Sequence, residues 1–289
     1  MDFGLFIFAT DYAIGPDVLA REAEAHGFES LFLPEHTHIP ASRLSPWPGG
    51  AELPRQYWHA HDPFVALSMA SAVTTQLQLG TGISLVTERD PILMAKQVAS
   101  LDFLSNGRVQ LGVGAGWNAE EMENHGTQFG QRWKILRERI LAMRQIWTEE
   151  EAEFHGEFVD FDKLWAHPKP VQAGGPPVLL GASSRFVYKR IAEYGDGWFP
   201  IYQDARRAGA SGAVDYAHGI AQTREAWDQA GRSGQPSFSI FGVGPDAAAV
   251  ESLLQTGFDR IIFALPSGSA DEVLPMVEKY AAIAHQFNS

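Results

Sequence analysis

Short apolar runs alternate with helix-patterned segments along nearly the whole chain, and this alternation limits the folds open to it. "FGLFIF" (3–8) and "SLFLP" (30–34) read as strands, separated by a helix that Pro16 opens and Gly27 closes. Asp62-Pro63 and Asp90-Pro91 each pair an N-cap residue with a proline at the first helical position. The strand "LQLGTGISL" (77–85) lies between those two starts. The helix from Pro91 is predicted to set Ile92, Ala95, Ala99 and Phe103 along one side, before Asn106-Gly107 stops it. "RVQLGVG" (108–114) follows, then a helix from about 130 to 147 with a buried stripe of Trp133, Leu136, Ile140, Met143 and Trp147. Residues 149–177 break the rhythm with a hairpin around Gly156 and an extended, proline-rich connector. Alternation resumes with strands at 177–181, 197–201, 237–243 and 260–265. Helices are predicted to Tyr194, near 213–230, near 246–256, and on Val273, Val277, Tyr280 and Ala284. Eight strand–helix units imply a closed (β/α)₈ TIM barrel carrying insertions, in one domain spanning residues 1–289. A doubly wound open sheet is the structural rival.

Composition narrows the function. A net charge of −13 makes nucleic acid or an anionic membrane surface a poor partner. There is no cysteine, so disulfides, thiolate metal sites and a cysteine nucleophile are excluded. The start, "MDFGLFIFATDYAIG", lacks a basic n-region and reads as a first strand, and no segment reaches the ~20 apolar residues of a membrane span. A cytoplasmic protein is the expectation.

In a barrel of this kind, chemistry belongs to the loops after the strands. "GVGAGWNAEE" (112–121) puts glycines at alternate positions where a strand turns into an acidic helix start. Such a turn either saves space or exposes backbone N–H groups to a planar or phosphorylated ligand. The dinucleotide-binding spacing is missing. Gly181, Ser183 and Ser184 in "LLGASS" leave a similar choice, between an ordinary serine N-cap and an anion site. "EHTH" and "WHAHDP" contain His-x-His pairs, which invite a metal. Later strand ends supply no further ligands apart from Asp246, so no metal is expected. His38, His59 and His61 then read as solvated loop residues, whereas His36, directly beyond a buried strand end, is favoured for a site role.

With these residues assembled, the chain resembles the luciferase-like monooxygenase superfamily, and within it the actinobacterial-type oxidoreductases that use the deazaflavin coenzyme F420. The matching stretches are "AEAHGFESLFLPEHTHIP", "TGISLVTERDPILMAKQVASLDFLSNGRVQLGVGAGWNAEEMENHG", "PPVLLGASS" and "YGDGWFP". The resemblance implies an insertion-bearing barrel, usually a homodimer, that holds a flavin or deazaflavin at its C-terminal mouth. It implies an acid–histidine pair at Glu35 and His36 beside the ring, and a non-prolyl cis peptide at Gly82-Ile83 that buttresses one ring face. Gly114, Ala115, Gly116 and Trp117 match the loop lining the cofactor. Gly181, Ala182, Ser183 and Ser184 match the segment near its phosphate and side chain. Where the family's sugar-phosphate dehydrogenases carry a glutamate acid, this chain has Trp117, so their substrate does not transfer. Trp117 shapes an apolar substrate pocket or packs against neighbouring loops.

The expected activity is hydride transfer between coenzyme F420 and a small organic substrate, with His36 as proton donor or acceptor. The nearest alternative is a monooxygenase using reduced FMN and oxygen. A metal-dependent barrel hydrolase and a non-catalytic cofactor-binding barrel are the alternatives from other classes. Substrate choice is expected to lie in loops 40–60 and 200–236, with "SPWPGGAELP" either lining the mouth or solvated.

Overall fold

The computed structural model describes residues 1–50, 52–203 and 214–288. The chain begins with β1 (Asp2–Phe6), α1 (Pro16–Ala25), β2 (Ser30–Leu33), α2 (Gln56–His59), α3 (Pro63–Ala72) and β3 (Gln78–Ser84). Next come α4 (Pro91–Leu104), β4 (Val109–Val113), α5 (Ala119–Asn124) and α6 (Arg132–Thr148). A hairpin of β5 (Ala152–His155) and β6 (Asp160–Leu164) then leads to β7 (Val178–Leu180), α7 (Val187–Tyr194) and β8 (Gly197–Trp198). The chain finishes with α8 (Tyr216–Gln229), β9 (Ser237–Val243), α9 (Ala247–Thr256), β10 (Arg260–Ala264) and α10 (Ala270–His285). The strands close in the order β1-β10-β9-β8-β7-β4-β3-β2, every pair parallel, which rules out the open sheet. β5 and β6 pair antiparallel outside the barrel, as the break in rhythm predicts. The helix predicted near 213–230 begins at Tyr216, while residues 204–213 of the 200–236 stretch lie outside the described residues.

Local chemistry explains the helix starts. Asp62 accepts from the Phe64 and Val65 amides and Asp90 from the Leu93 amide, each ahead of a proline that needs no partner. The packed face of α4 differs from the predicted one. Met94, Ala95, Val98, Ala99, Leu101 and Asp102 are buried, while Ile92 and Phe103 are 38% and 54% exposed. The Ala95 carbonyl accepts from Trp147 Nε1, so this face packs against α6, and the apolar surplus at Leu93, Phe103 and Leu104 faces outward.

Two layers of core result. One fills the space between strands and helices; the other is the barrel interior, where Phe32, Leu179, Phe199, Phe241 and Ile262 pack with Phe6 and Ile83. The Phe199 ring packs tilted at 4.7 Å from Phe241 and 5.1 Å from Phe32, and Phe6 lies 5.3 Å from Phe241. Phe6 and Ile83 remain partly exposed, so the interior ends in an apolar floor.

The opposite rim is stitched by buried polar groups. The Asp102 carboxylate accepts from the Val171 amide (2.7 Å), the Gln172 amide (3.1 Å) and Gln172 Nε2 (2.7 Å), anchoring the connector beneath β4. Arg108 donates to Ser105, Thr74 and the Leu77 carbonyl. Removing Asp102 strands several buried donors. Asp102→Ala is expected to lower stability to chemical denaturation by ~3 kcal/mol without altering ligand binding at the other rim. Unchanged stability would mean the connector is held by other contacts.

Candidate active site

The loop after β2 places His36 at the C-terminal rim, with its side chain 7% exposed. Its Nδ1 lies 2.7 Å from Oε2 of Glu121, a carboxylate 1% exposed on α5. The second oxygen of Glu121 accepts from the Thr37 amide at 3.1 Å. Nε2 of His36 has no hydrogen-bond partner among the described residues. An enclosure of rings surrounds it: Tyr57 at 5.2 Å and Trp117 edge-on at 5.8 Å. Tyr57 in turn meets Phe8 at 4.7 Å and Trp47 at 5.7 Å. The Ser45 hydroxyl accepts from the Ala119 amide at 3.0 Å, which ties Ser45 to the start of α5 and holds the neighbouring Trp47 against Tyr57.

Glu35 has a different environment. Its carboxylate accepts from Ser84 Oγ (2.6 Å), the Leu85 amide (2.8 Å) and Arg89 Nε (2.6 Å), and Arg89 continues to Asp62 at 2.5 Å and Gln97 at 3.1 Å. Burial works against the charge on Arg89, but Glu35 and Asp62 together raise its pKa. Glu35 thus braces the loop after β3. Its backbone, donating to the Ile83 carbonyl, is the part that borders the mouth.

Two of the predicted glycines, Gly114 and Gly181, converge on one side chain. The Gly82-Ile83 peptide is cis, and Ile83 projects between the loops after β4 and β7. A Cβ on Gly114 would come within 2.8 Å of Ile83 Cδ1, and one on Gly181 within 2.6 Å of its Cγ2. Gly116 has φ +73, and a Cβ there would meet Met122 at 2.6 Å. Gly114 and Gly181 therefore make room first for Ile83, which carries the floor up to the mouth. Ala115 is buried beside them. The Ala182 carbonyl accepts from Trp198 Nε1 at 2.7 Å. Ser183 and Ser184 are exposed, and α7 starts only at Val187 with no side-chain cap, so a serine N-cap is not formed. The histidine pairs separate as well: His38 goes to Thr37 and Asn124, and His59 to Asp11.

Residues 17–281 match the luciferase-like monooxygenase family. The chain belongs to that family. Uncharacterized protein Rv0953c of Mycobacterium tuberculosis is 41% identical over 285 residues, 98% of each chain. Pyrimidine monooxygenase RutA of Allorhizobium ampelinum is 30% identical over 62% of this chain and 48% of its own length. An F420-dependent hydroxymycolic acid dehydrogenase of Mycobacterium tuberculosis is 29% identical over 65% and 49%. Among solved structures, monooxygenase RslO1 from Streptomyces bottropensis superposes over the full length of both chains with TM-score 0.80 at 18% identity. An F420-dependent secondary alcohol dehydrogenase in complex with an F420-acetone adduct superposes with TM-score 0.75 at 18% identity, over 98% and 97%. These structures share the luciferase-like barrel.

Two acids of this luciferase-like site escape a reading by sequence. Glu121 stands three residues after the helix cap Asn118, where an acid ordinarily returns to the cap; here it reaches His36. Glu88, in "TERDP", looks like a surface charge beside a helix start, yet its side chain is 1% exposed. Burial, then the nearby carboxylates Glu121 and Glu35, push the Glu88 carboxyl up to about 9. An unfolded chain ionises such a group near ~4.3. The folded state therefore holds the extra proton between those values, and the stability it carries falls as pH rises toward about 9. The melting temperature of Glu88→Gln minus that of wild type is expected to climb steadily from about pH 5 to about pH 9. A constant difference would mean that Glu88 ionises as an exposed acid does.

Proposed function

We propose that this protein transfers a hydride between coenzyme F420 and a small organic substrate, with His36 giving or taking the accompanying proton. The observation that carries this reading is the buried His36–Glu121 pair, 2.7 Å apart, with Nε2 left for a ligand inside a ring-lined enclosure. A carboxylate on one imidazole nitrogen fixes the ring, so the other can exchange a proton in a set direction. The F420-dependent dehydrogenases among the relatives and solved structures support the choice of cofactor.

The residues present fit a planar ring system with a polar tail. Ile83 and the phenylalanine floor offer an apolar surface for one ring face, and the main chain at Gly82, Gly114, Ala115, Gly116, Gly181 and Ala182 lies along it. Ser183 and Ser184, with exposed Arg185 and Lys189 nearby, suit an anionic tail. When bound, the deazaflavin supplies the carbon that carries the hydride. Trp117, Tyr57 and Trp47 exclude water and orient the substrate, while Glu121 holds Nδ1 and Nε2 handles the proton.

The second reading is a monooxygenase using reduced FMN, favoured by the likeness to pyrimidine monooxygenase RutA. Anaerobic titration separates the two. Reduced deazaflavin is expected to bind more tightly than reduced FMN, with affinity falling as salt rises. Tighter FMN binding with oxygen-dependent substrate oxidation would favour the monooxygenase. His36→Ala is expected to lower kcat by ~10²–10⁴-fold while changing cofactor affinity little. Equal losses in both would make His36 a binding residue.

The same reading includes a homodimer. Val65 and Met69 on α3, with Leu93, Phe103 and Leu104 on α4, are all about half exposed or more, an apolar surplus on two adjacent helices. Sedimentation is expected to give a dimer that Val65→Glu with Leu93→Glu turns into a monomer. A wild-type monomer would remove this assignment.

A further inference from the structure

A buried carboxyl that faces no donor has to bring its own hydrogen. Glu88 ends the short turn Val86–Glu88 between β3 and α4, and neither of its oxygens meets a donor among the described residues. Neither nearby arginine forms an ion pair with it among the described residues, and the Nε–H of Arg139 is itself buried without a partner. Arg89 serves Glu35, Asp62 and Gln97, and Arg139 of α6 gives Nη1 to the Val86 carbonyl at 2.9 Å. His125 comes within 3.9 Å of Glu88 Oε2, but its Nε2 lies 2.8 Å from Thr37 Oγ1. Burial, and then His38, also hold the His125 ring below the usual histidine range, which favours its neutral form. The remaining neighbours are acids: Glu35 from the loop after β2, and Glu121 from α5, whose carboxyl lies within hydrogen-bonding reach of Glu88.

We propose that Glu88 is a positioning residue: its carboxyl O–H donates to Glu121, fixing Glu121 as the acceptor for the Nδ1–H of His36 and leaving Nε2 to the mouth. The functional side of this proposal rests on His36 handling the proton in the reaction proposed above. Its structural side concerns the protein alone. Two ionised carboxylates within hydrogen-bonding reach of each other repel strongly, so the pair retains a proton. Which acid carries it sets the state of His36. A proton on Glu121 would be donated to Nδ1 and leave the hydrogen on Nε2. A proton on Glu88 keeps Glu121 an acceptor from both His36 and the Thr37 amide. Glu88 has no competing donor to satisfy it as an anion, whereas Glu121 has two, and that asymmetry puts the proton on Glu88. The upward displacement of its ionisation to about 9 agrees.

The test uses cofactor-free protein, so its outcome is independent of which cofactor or substrate the enzyme takes. Infrared spectroscopy at neutral pH is expected to show a protonated-carboxyl band that disappears as pH rises through about 9 and is missing in Glu88→Gln. Nitrogen-15 NMR of the His36 ring, assigned with His36→Ala, is expected to show hydrogen on Nδ1 in wild type. Glu88→Gln, whose amide still donates to Glu121, keeps that signature while losing the carboxyl band. A wild-type protein without the neutral-pH band, a band that persists in Glu88→Gln, or a wild-type His36 ring with its hydrogen on Nε2 would each overturn the proposal. The wild-type titration requires no variant, so misfolding of a mutant cannot conceal the answer.

Discussion

A carboxylate removed from water must find its donors inside the protein, and Glu35 finds them on the next strand. Ser84 Oγ, the Leu85 amide and Arg89 all converge on it. This joins the end of β2 to the end of β3, and Arg89 extends the joint to Asp62, the cap of α3. The consequences are local but decisive. The residue after Glu35 is His36, and the residue before Arg89 is Glu88, so one ion-paired joint sets where both groups stand. Cutting one partner from such a pair costs more than the pair is worth, because the other charge stays buried. The rim is therefore rigid where chemistry needs it to be.

On that rim, packing and polarity divide the work. Ile83 wedges between Gly114 and Gly181 and continues the phenylalanine interior upward, so one wall of the mouth is apolar and closely fitted. His36, Glu121 and Glu88 form the opposite, polar side, with Trp117 and Tyr57 flanking the His36 ring. An apolar face beside one directed proton-exchanging nitrogen suits two-electron chemistry on a planar cofactor. In barrels of this kind chemistry is varied through the connections at the C-terminal end, and here Trp47 and the α2 residue Tyr57 come from the connection between β2 and α3.

The barrel was legible in the sequence because each strand is bounded by strong punctuation. Asp62-Pro63, Asp90-Pro91 and Asn106-Gly107 act through local geometry that tertiary contacts do not override. The outward surplus of α4 was not legible, since Ile92 and Phe103 fit a helical stripe as well as the residues that are buried. At the site, the glycine loops could be located but not interpreted: spacing reveals that something approaches closely, and only the fold reveals that Ile83 does. Glu121 and Glu88 were hidden for a similar reason. An acid near a helix start has an adequate local explanation in the cap and dipole, so nothing in the sequence marks its burial.

The central claim is that the mouth between Ile83 and His36 holds a deazaflavin ring with His36 Nε2 facing the reacting edge. A crystal structure of the protein with oxidised coenzyme F420 tests it most directly. The account predicts the ring packed on Ile83, its edge along the main chain of Gly114 to Gly116, and His36 Nε2 open to the space where a substrate would sit. A deazaflavin bound away from Ile83, or a His36 ring turned so that Nε2 rather than Nδ1 meets Glu121, would contradict it.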